Sequence, residues 1–283
     1  MRYLDHFAGI AGDYDGFILD LWGVIHNGVV PIPGAPECLA RLRDAGKRVV
    51  LLSNAPRRAA PIQRQLRRMG IEDSTYAGIM TSGEASYLML RDRPDAWYQA
   101  LGHRVFHLGP VRDRNVMDGL DLEVLDTPEG ADFMLNTGPD DEADQTDPAA
   151  YDPVLRDSLA RGLKMICANP DLEVIRGGQR VVCAGTLAER YAAMGGDVRS
   201  LGKPDPRIYD PVLSLLDLPK HRVLAVGDAL RTDIAGAASV GVESCWVLGG
   251  LHGAHLEGDR TRTDAEAARA GLAPVAAIQH FVW

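Results

Sequence analysis

What most constrains this chain is a repeating order of apolar runs and amphipathic helix patterns, with the runs ending on polar side chains. Phe17-Ile18-Leu19 leads straight into Asp20, then Leu21-Trp22-Gly23-Val24. A short apolar run bounded by turn residues reads as a buried strand. The stretch from Ala35 to Ala45 places Leu39 and Leu42 on one face, with Arg41, Arg43 and Asp44 off it, and Gly46 caps it as a helix. Arg48-Val49-Val50-Leu51-Leu52 is a second strand, ending in Ser53-Asn54-Ala55-Pro56-Arg57. Residues 58–69 repeat the helical pattern, with Ile62, Leu66 and Met69 on one face, closed by Gly70. Strand, helix, strand, helix implies right-handed crossovers and a parallel sheet with helices on its faces. In such sheets ligands bind beyond the carboxyl ends of the strands. Asp20 and Ser53-Asn54 fall at those ends.

Beyond residue 82 the rhythm continues. Strand patterns cover Arg104–Leu108, Leu122–Leu125, Asp132–Leu135 and Leu163–Cys167, the last ending in Ala168-Asn169-Pro170-Asp171. Tyr151–Arg161 and Leu187–Met194 read as helices, and Gly177-Gly178 is a hairpin signal. The acidic run Pro139–Pro148 lacks the glycine-centred spacing of a calcium loop and is expected to be a solvated surface loop. Residues 83–199 are expected to form an inserted α/β domain, with residues 1–82 and 200–283 forming the first. In the latter, Arg207–Leu216 reads as a helix with Ile208, Val212 and Leu215 inward. Val223–Val226 is a strand running into Gly227-Asp228, and Asp233–Val240 is a small-residue helix suited to close packing. Ser244–Leu248 is a strand and Gly249–Gly258 a loop, and the last residues are expected to close with a helix and an edge strand.

Composition narrows the function. The 283 residues are 46% apolar, a globular balance. Acidic residues number 39 against 30 basic, a net charge of −9. That argues against a nucleic-acid or membrane-surface partner held by bulk charge. No apolar run is long enough for a membrane span, and the start of the chain does not read as a secretory signal. Cys38, Cys167, Cys183 and Cys245 sit in apolar contexts without metal spacing, which fits reduced core thiols in a cytoplasmic protein.

Four strand ends hold candidate chemistry: Asp20, Ser53-Asn54, Lys203 in Gly202-Lys203-Pro204, and Asp228 with Asp233. Each has an ordinary alternative. Ser53 could be an N-cap, Asp233 a first-turn dipole partner, Lys203 a solvated turn lysine, and Asp20 a turn cap. Together they say more. Three carboxylates cannot be buried side by side without a cation. Carboxylate oxygens suit Mg²⁺, which keeps several waters. Lys203 supplies a fixed point charge for an anion. Ser53 and Asn54, at a helix start, suit phosphate oxygens.

The set ILDLWGV, LLSNAPR, GKPDPRIY and GDALRTDIAGA resembles the haloacid dehalogenase superfamily of aspartate-nucleophile hydrolases. The insertion between the second and third motifs, the ANPD run at Ala168–Asp171 and the WGVIHNG…PGA run look like its class IIA branch of sugar, nucleotide and p-nitrophenyl phosphatases. The resemblance covers essentially the whole chain. It implies a Rossmann-like, three-layer α/β core with an inserted α/β cap. It also implies an aspartyl-phosphate formed on Asp20, and a phosphoryl group held by Ser53, Asn54 and Lys203. Mg²⁺ would be bound by Asp20, the Trp22 backbone carbonyl, Asp228 and Asp233. The substrate would be a small phosphorylated metabolite. Class IIA members often dimerise through their caps.

One position departs from the pattern. Family phosphatases carry a second Asp two residues after the nucleophile, and here that residue is Trp22. Indole donates a hydrogen bond but does not titrate near neutrality. The expectation is slow hydrolysis of poor leaving groups. His26 is the nearest titratable candidate for the missing role, set against a plain turn histidine. Asn169, Asp171, Gly185 and Thr186 could face the site or serve as turn residues. Two further readings stay open: a non-catalytic phosphoester-binding protein, and C–halogen cleavage, against which the Asp228–Asp233 pair counts.

Overall fold

The structure is a computed structural model that describes residues 1–141, 144–176, 179–250, 256 and 259–283. In chain order the strands begin with β1 (Arg2–Leu4), β2 (Gly16–Leu19), β3 (Arg48–Ser53) and β4 (Gly78–Thr81). Next come β5 (Arg104–Leu108), β6 (Glu123–Leu125), β7 (Phe133–Asn136), β8 (Lys164–Cys167), β9 (Glu173–Arg176), β10 (Gln179–Val182) and β11 (Val198–Ser200). The last are β12 (Val223–Gly227), β13 (Glu243–Val247) and β14 (Ala276–Ile278).

Two compact units emerge. The first comprises Met1–Ser53, Ala60–Met80 and Lys203–Trp283. Its sheet runs β1-β14-β13-β12-β2-β3-β4. β2 pairs in parallel with both β3 and β12, and β13 with both β12 and β14. Every residue of β2 and β12 is buried, the mark of a parallel sheet covered on both faces. Helices Ala35–Asp44 and Tyr209–Leu216 pack on β3. On β2 the strand order reverses: the chain moves outward through β3 and β4 on one side, and through β12 and β13 on the other. This is a Rossmann-like α/β fold with its switch point at the carboxyl end of β2.

The second unit comprises Asn54–Ala59 and Thr81–Gly202. Its five-stranded parallel sheet has the order β11-β8-β7-β5-β6, with β9 and β10 as a separate antiparallel pair. Alternate strand residues divide between two apolar clusters. Val105, Phe133, Leu135 and Ile166 join Leu90, Tyr98 and Val116 on one face. Phe106, Met134, Met165 and Cys167 join Leu155, Leu187 and Tyr191 on the other. The period-2 pattern of the strands therefore builds a layer on each side.

Several elements differ from the sequence expectation. One edge of the first sheet is β1, at the start of the chain, and the other is β4. β14 lies between β1 and β13 instead of at the edge. Arg2-Tyr3-Leu4 is too short for alternation to announce it, and its pairing is set by residues 276–278 far along the chain. The segment Asn54–Ala59, expected in the first domain, belongs to the second unit because that unit holds its backbone. Thr81 Oγ1 donates to the Arg57 carbonyl (2.5 Å), Asn115 Oδ1 accepts from the Arg58 N–H (2.9 Å), and Glu84 Oε2 accepts from the Ala59 N–H (3.0 Å). Val198–Ser200, where the first domain was expected to resume, is a strand of the second sheet. In the acidic loop, Asp141 pairs with Arg112. The Gly177-Gly178 hairpin lies outside the described residues, as does most of the Gly249–Gly258 loop. The four cysteines are buried thiols outside any disulfide. Among the described residues no helix is long and apolar enough to cross a membrane.

Candidate active site

The first unit gathers its carboxylates at the switch point. The Asp20 N–H donates to the Val226 carbonyl at 2.9 Å, which extends the β2–β12 pairing by one residue. This rung brings Asp20 opposite Gly227, the last residue of β12, with Asp228 next in the chain. After Asp228 the chain turns into a π-helical turn, Leu230–Ile234, where the Asp233 and Ile234 amides both donate to the Ala229 carbonyl (2.9 and 3.2 Å). Single π turns of this kind recur at functional sites. Here it returns the Asp233 side chain to the strand end, where Oδ2 accepts from the Ala229 N–H at 3.1 Å. Asp20, Asp228 and Asp233 each present one oxygen within 4.8 Å of the others.

Lys203 completes the group. Its Nζ donates to Asp20 Oδ1 and Asp233 Oδ1, both at 2.6 Å, and to the Leu52 carbonyl at 3.1 Å. All four side chains are buried: Asp20 is 8% exposed, Asp228 3%, Asp233 5% and Lys203 3%. Three negative charges against one positive leave a balance of two negative among them. Buried charge of that size calls for a cation.

Glycines make the packing fit. Gly23 has φ +77°, and a Cβ there would stand 2.2 Å from Asp228 Oδ2. A Cβ on Gly250 would stand 2.3 Å from the same atom, and one on Gly227 2.2 Å from Asp233 Cβ and Cγ. Trp246 Nε1 donates to the Asp228 carbonyl at 2.9 Å and anchors the strand end from beneath. Neither this indole contact nor the role of Gly250 was read from the sequence. The only signals were a tryptophan in a strand and a glycine pair after it.

The remaining candidates divide. Ser53 is buried at the end of β3, one residue past the carbonyl that Lys203 contacts. Trp22 lies in the turn after Asp20. Its indole makes an edge contact with His26 (centroids 5.6 Å apart), and the missing side chain of Gly28 gives it room. His26 is 2% exposed, its Nδ1 accepts from the Gly28 N–H at 3.0 Å, and burial pushes its pKa down to about 4. A neutral ring held this way shapes the turn, and its remaining Nε2–H can donate a hydrogen bond but is not a general acid near neutrality. In the second unit, Asn54 donates to Asp171 Oδ1 at 2.8 Å, so its amide is tied there. Asn169 Oδ1 accepts from the Asp171 N–H, and Thr186 Oγ1 donates to the Leu172 carbonyl, both as turn contacts.

Comparison with known proteins follows this geometry closely. The profile of the haloacid dehalogenase-like hydrolases matches residues 17–123, and a second profile of HAD-hydrolase-like proteins matches residues 200–257. A hydrolase of the haloacid dehalogenase-like family from Brucella suis 1330 is 31% identical, with a TM-score of 0.84, over 99% of this chain and 100% of that one. The chain belongs to the haloacid dehalogenase-like hydrolase family. Its relatives are those of the class IIA branch. Chronophin from Rattus norvegicus is 29% identical over 250 residues, 86% of this chain and 79% of its own length. A glycerol phosphate phosphatase from Mycobacterium tuberculosis, solved in complex with magnesium, is 25% identical with a TM-score of 0.66, covering 86% of this chain and 70% of that one.

Proposed function

We propose that this haloacid dehalogenase-like hydrolase is a Mg²⁺-dependent phosphatase of small phosphorylated metabolites, fastest on esters with good leaving groups. One observation carries the reading. Three buried carboxylates share one site with a buried ammonium, an arrangement suited to a divalent cation and a phosphoryl dianion together. The donor set is all oxygen, which fits a hard cation. Asp20, Asp228, Asp233 and the Trp22 carbonyl would hold it. When bound, Mg²⁺ supplies charge neutralisation for the transferring group.

The chain's own residues do the rest. An Asp20 carboxylate oxygen attacks phosphorus, the bond to the leaving oxygen breaks, and an acyl phosphate forms on Asp20. Water then hydrolyses it, returning Asp20 and inorganic phosphate. Splitting one displacement into two lowers each barrier. Lys203 holds Asp20 oriented before attack, and offers its charge to a phosphoryl oxygen. Ser53 holds a second oxygen. Trp22 stands where the family places an acid–base carboxylate, and it carries no transferable proton. Departure of a strongly basic alkoxide would therefore go unassisted, and general acid–base catalysis typically contributes about 10²–10⁴-fold.

The test is turnover of p-nitrophenyl phosphate, with and without Mg²⁺, against an Asp20→Asn control. The expected result is measurable hydrolysis that EDTA abolishes and the control lacks. Turnover equal to the control overturns the enzyme reading. Trp22 specifically favours the alternative in that case, a phosphoester-binding protein that keeps the metal and anion pocket. Metal-free chloride release from 2-haloacids would overturn both.

A further inference from the structure

The turn after β8, Ala168-Asn169-Pro170-Asp171, has no task in the chemistry above. Within the second unit it anchors a small polar node. Asp171 Oδ1 accepts from Asn54 Nδ2 at 2.8 Å. A carboxylate only accepts, so this contact fixes which end of the Asn54 amide faces it. The other end, Oδ1, accepts from Ser82 Oγ at 3.2 Å. Gly202 closes the group. With φ +140°, it would place a Cβ 2.2 Å from Ser82 Oγ, 2.6 Å from Asn54 Oδ1 and 2.7 Å from Pro170 Cδ. Asp171 is itself held firmly. Its N–H donates to Asn169 Oδ1 at 3.1 Å, and its carbonyl accepts from the Gly185 N–H at 3.1 Å. A Cβ on Gly185 would stand 2.5 Å from that carbonyl oxygen and from the one of Pro170.

The members of this node sit where the chain passes from one unit to the other. Asn54 follows Ser53, Ser82 is two residues past Met80, and Gly202 precedes Lys203. Ser53 and Lys203 are the two residues that contact the phosphoryl group in the proposed mechanism. Asp171 orients Asn54, and so fixes the peptide that presents Ser53. Ser82 and Gly202 then fix the peptide that leads into Lys203.

We propose that Asp171 is a positioning residue for phosphoryl transfer, acting through Asn54 on the Ser53 and Lys203 backbones. The proposal rests on the phosphatase reading for its kinetic arm only. Positioning errors of about 1 Å can cost about 10²-fold in rate. Asp171→Ala is therefore expected to lower kcat on p-nitrophenyl phosphate by about 10–100-fold. The Mg²⁺ concentration giving half-maximal rate stays unchanged, because the three metal-site aspartates keep their contacts. Asp171→Asn retains an acceptor oxygen and recovers most of the rate. An Ala variant within twofold of wild type, an Asn variant as slow as Ala, or a shifted Mg²⁺ requirement overturns the proposal.

A second measurement does not need turnover. Amide hydrogen exchange at residues 53–55 and 201–203 is expected to speed up about tenfold in Asp171→Ala, while β5, β7 and β8 keep their protection. Unchanged exchange overturns the node whatever the activity. Faster exchange in a protein whose wild type turns over nothing supports the node and removes the phosphatase reading.

Discussion

Trp22 is the residue on which the proposed chemistry turns. Its side chain is seated by Gly28 and His26, so a carboxylate placed there inherits a defined turn next to Asp20. Trp22→Asp is expected to raise kcat on an alkyl phosphate by about 10²-fold, and far less on p-nitrophenyl phosphate, whose leaving group needs no proton. Released phosphate from the two substrates checks this, and an unchanged ratio would locate the acid elsewhere. A second residue-scale effect concerns stability. His107 in the second unit is 4% exposed, with Nε2 2.9 Å from Thr137 Oγ1. Burial first, and then the Arg114 charge, push its pKa from 6.5 down to about 4, against opposing pulls from Asp140 and Asp126. The unfolded chain takes up this proton below about pH 6.5, whereas the folded chain does so only near 4. Stability from neutral His107 is thus complete above pH 6.5 and declines as pH falls towards 4, by at most about 1.4 kcal/mol per pH unit. Urea titrations at pH 7 and pH 5 should show a smaller pH-dependent loss in His107→Gln than in wild type. At this scale the sequence was informative where chemistry sits on a strand end, as with Asp20, Asp228, Asp233 and Lys203. It was silent on Trp246 and Gly250, whose parts depend on tertiary approach.

At the scale of elements, the central strands could be read because parallel strands covered on both faces are continuous apolar runs. β2, β3, β5, β8 and β12 all stand within a residue or so of their sequence-based bounds. β1, β4 and β11 could not, since none of them is buried along its whole length and none carries an apolar run of three residues. The π turn after β12 was likewise hidden, because a five-residue offset between Asp228 and Asp233 looks like an ordinary helix start. That turn and the Gly23 turn place the carboxylates, so they are the elements to perturb. Gly23→Ala meets both a left-handed backbone and the Asp228 carboxylate. It is expected to cost about 1–3 kcal/mol of stability in urea unfolding and to abolish any response of the melting temperature to Mg²⁺. In the second unit, Gly83→Ala is expected to cost a similar amount, since its Cβ would fall 2.5–2.6 Å from the Arg57 backbone. Its Mg²⁺ response should persist, which separates a packing fault from a metal-site fault.

For the whole molecule, the proposed Mg²⁺ site, oxygen-lined and rich in negative charge, is expected to make the folded state a better ligand for Mg²⁺ than the unfolded chain. Saturating metal at about 100 times its Kd is expected to add about 2.7 kcal/mol of stability, lost on EDTA treatment and absent in Asp228→Asn. Differential scanning calorimetry measures it. Strand connectivity carries a different consequence. Every pairing in the five-stranded sheet falls between residues 104 and 200. The other sheet joins Gly16 to Val223 and Arg2 to Ala276. During synthesis the inserted unit can therefore fold while the first strands still wait on the ribosome for partners not yet translated. The nascent β2 and β3, with their apolar runs Phe17-Ile18-Leu19 and Val49-Val50-Leu51-Leu52, spend that interval with an open flank, which makes this the period in which a chaperone is most needed.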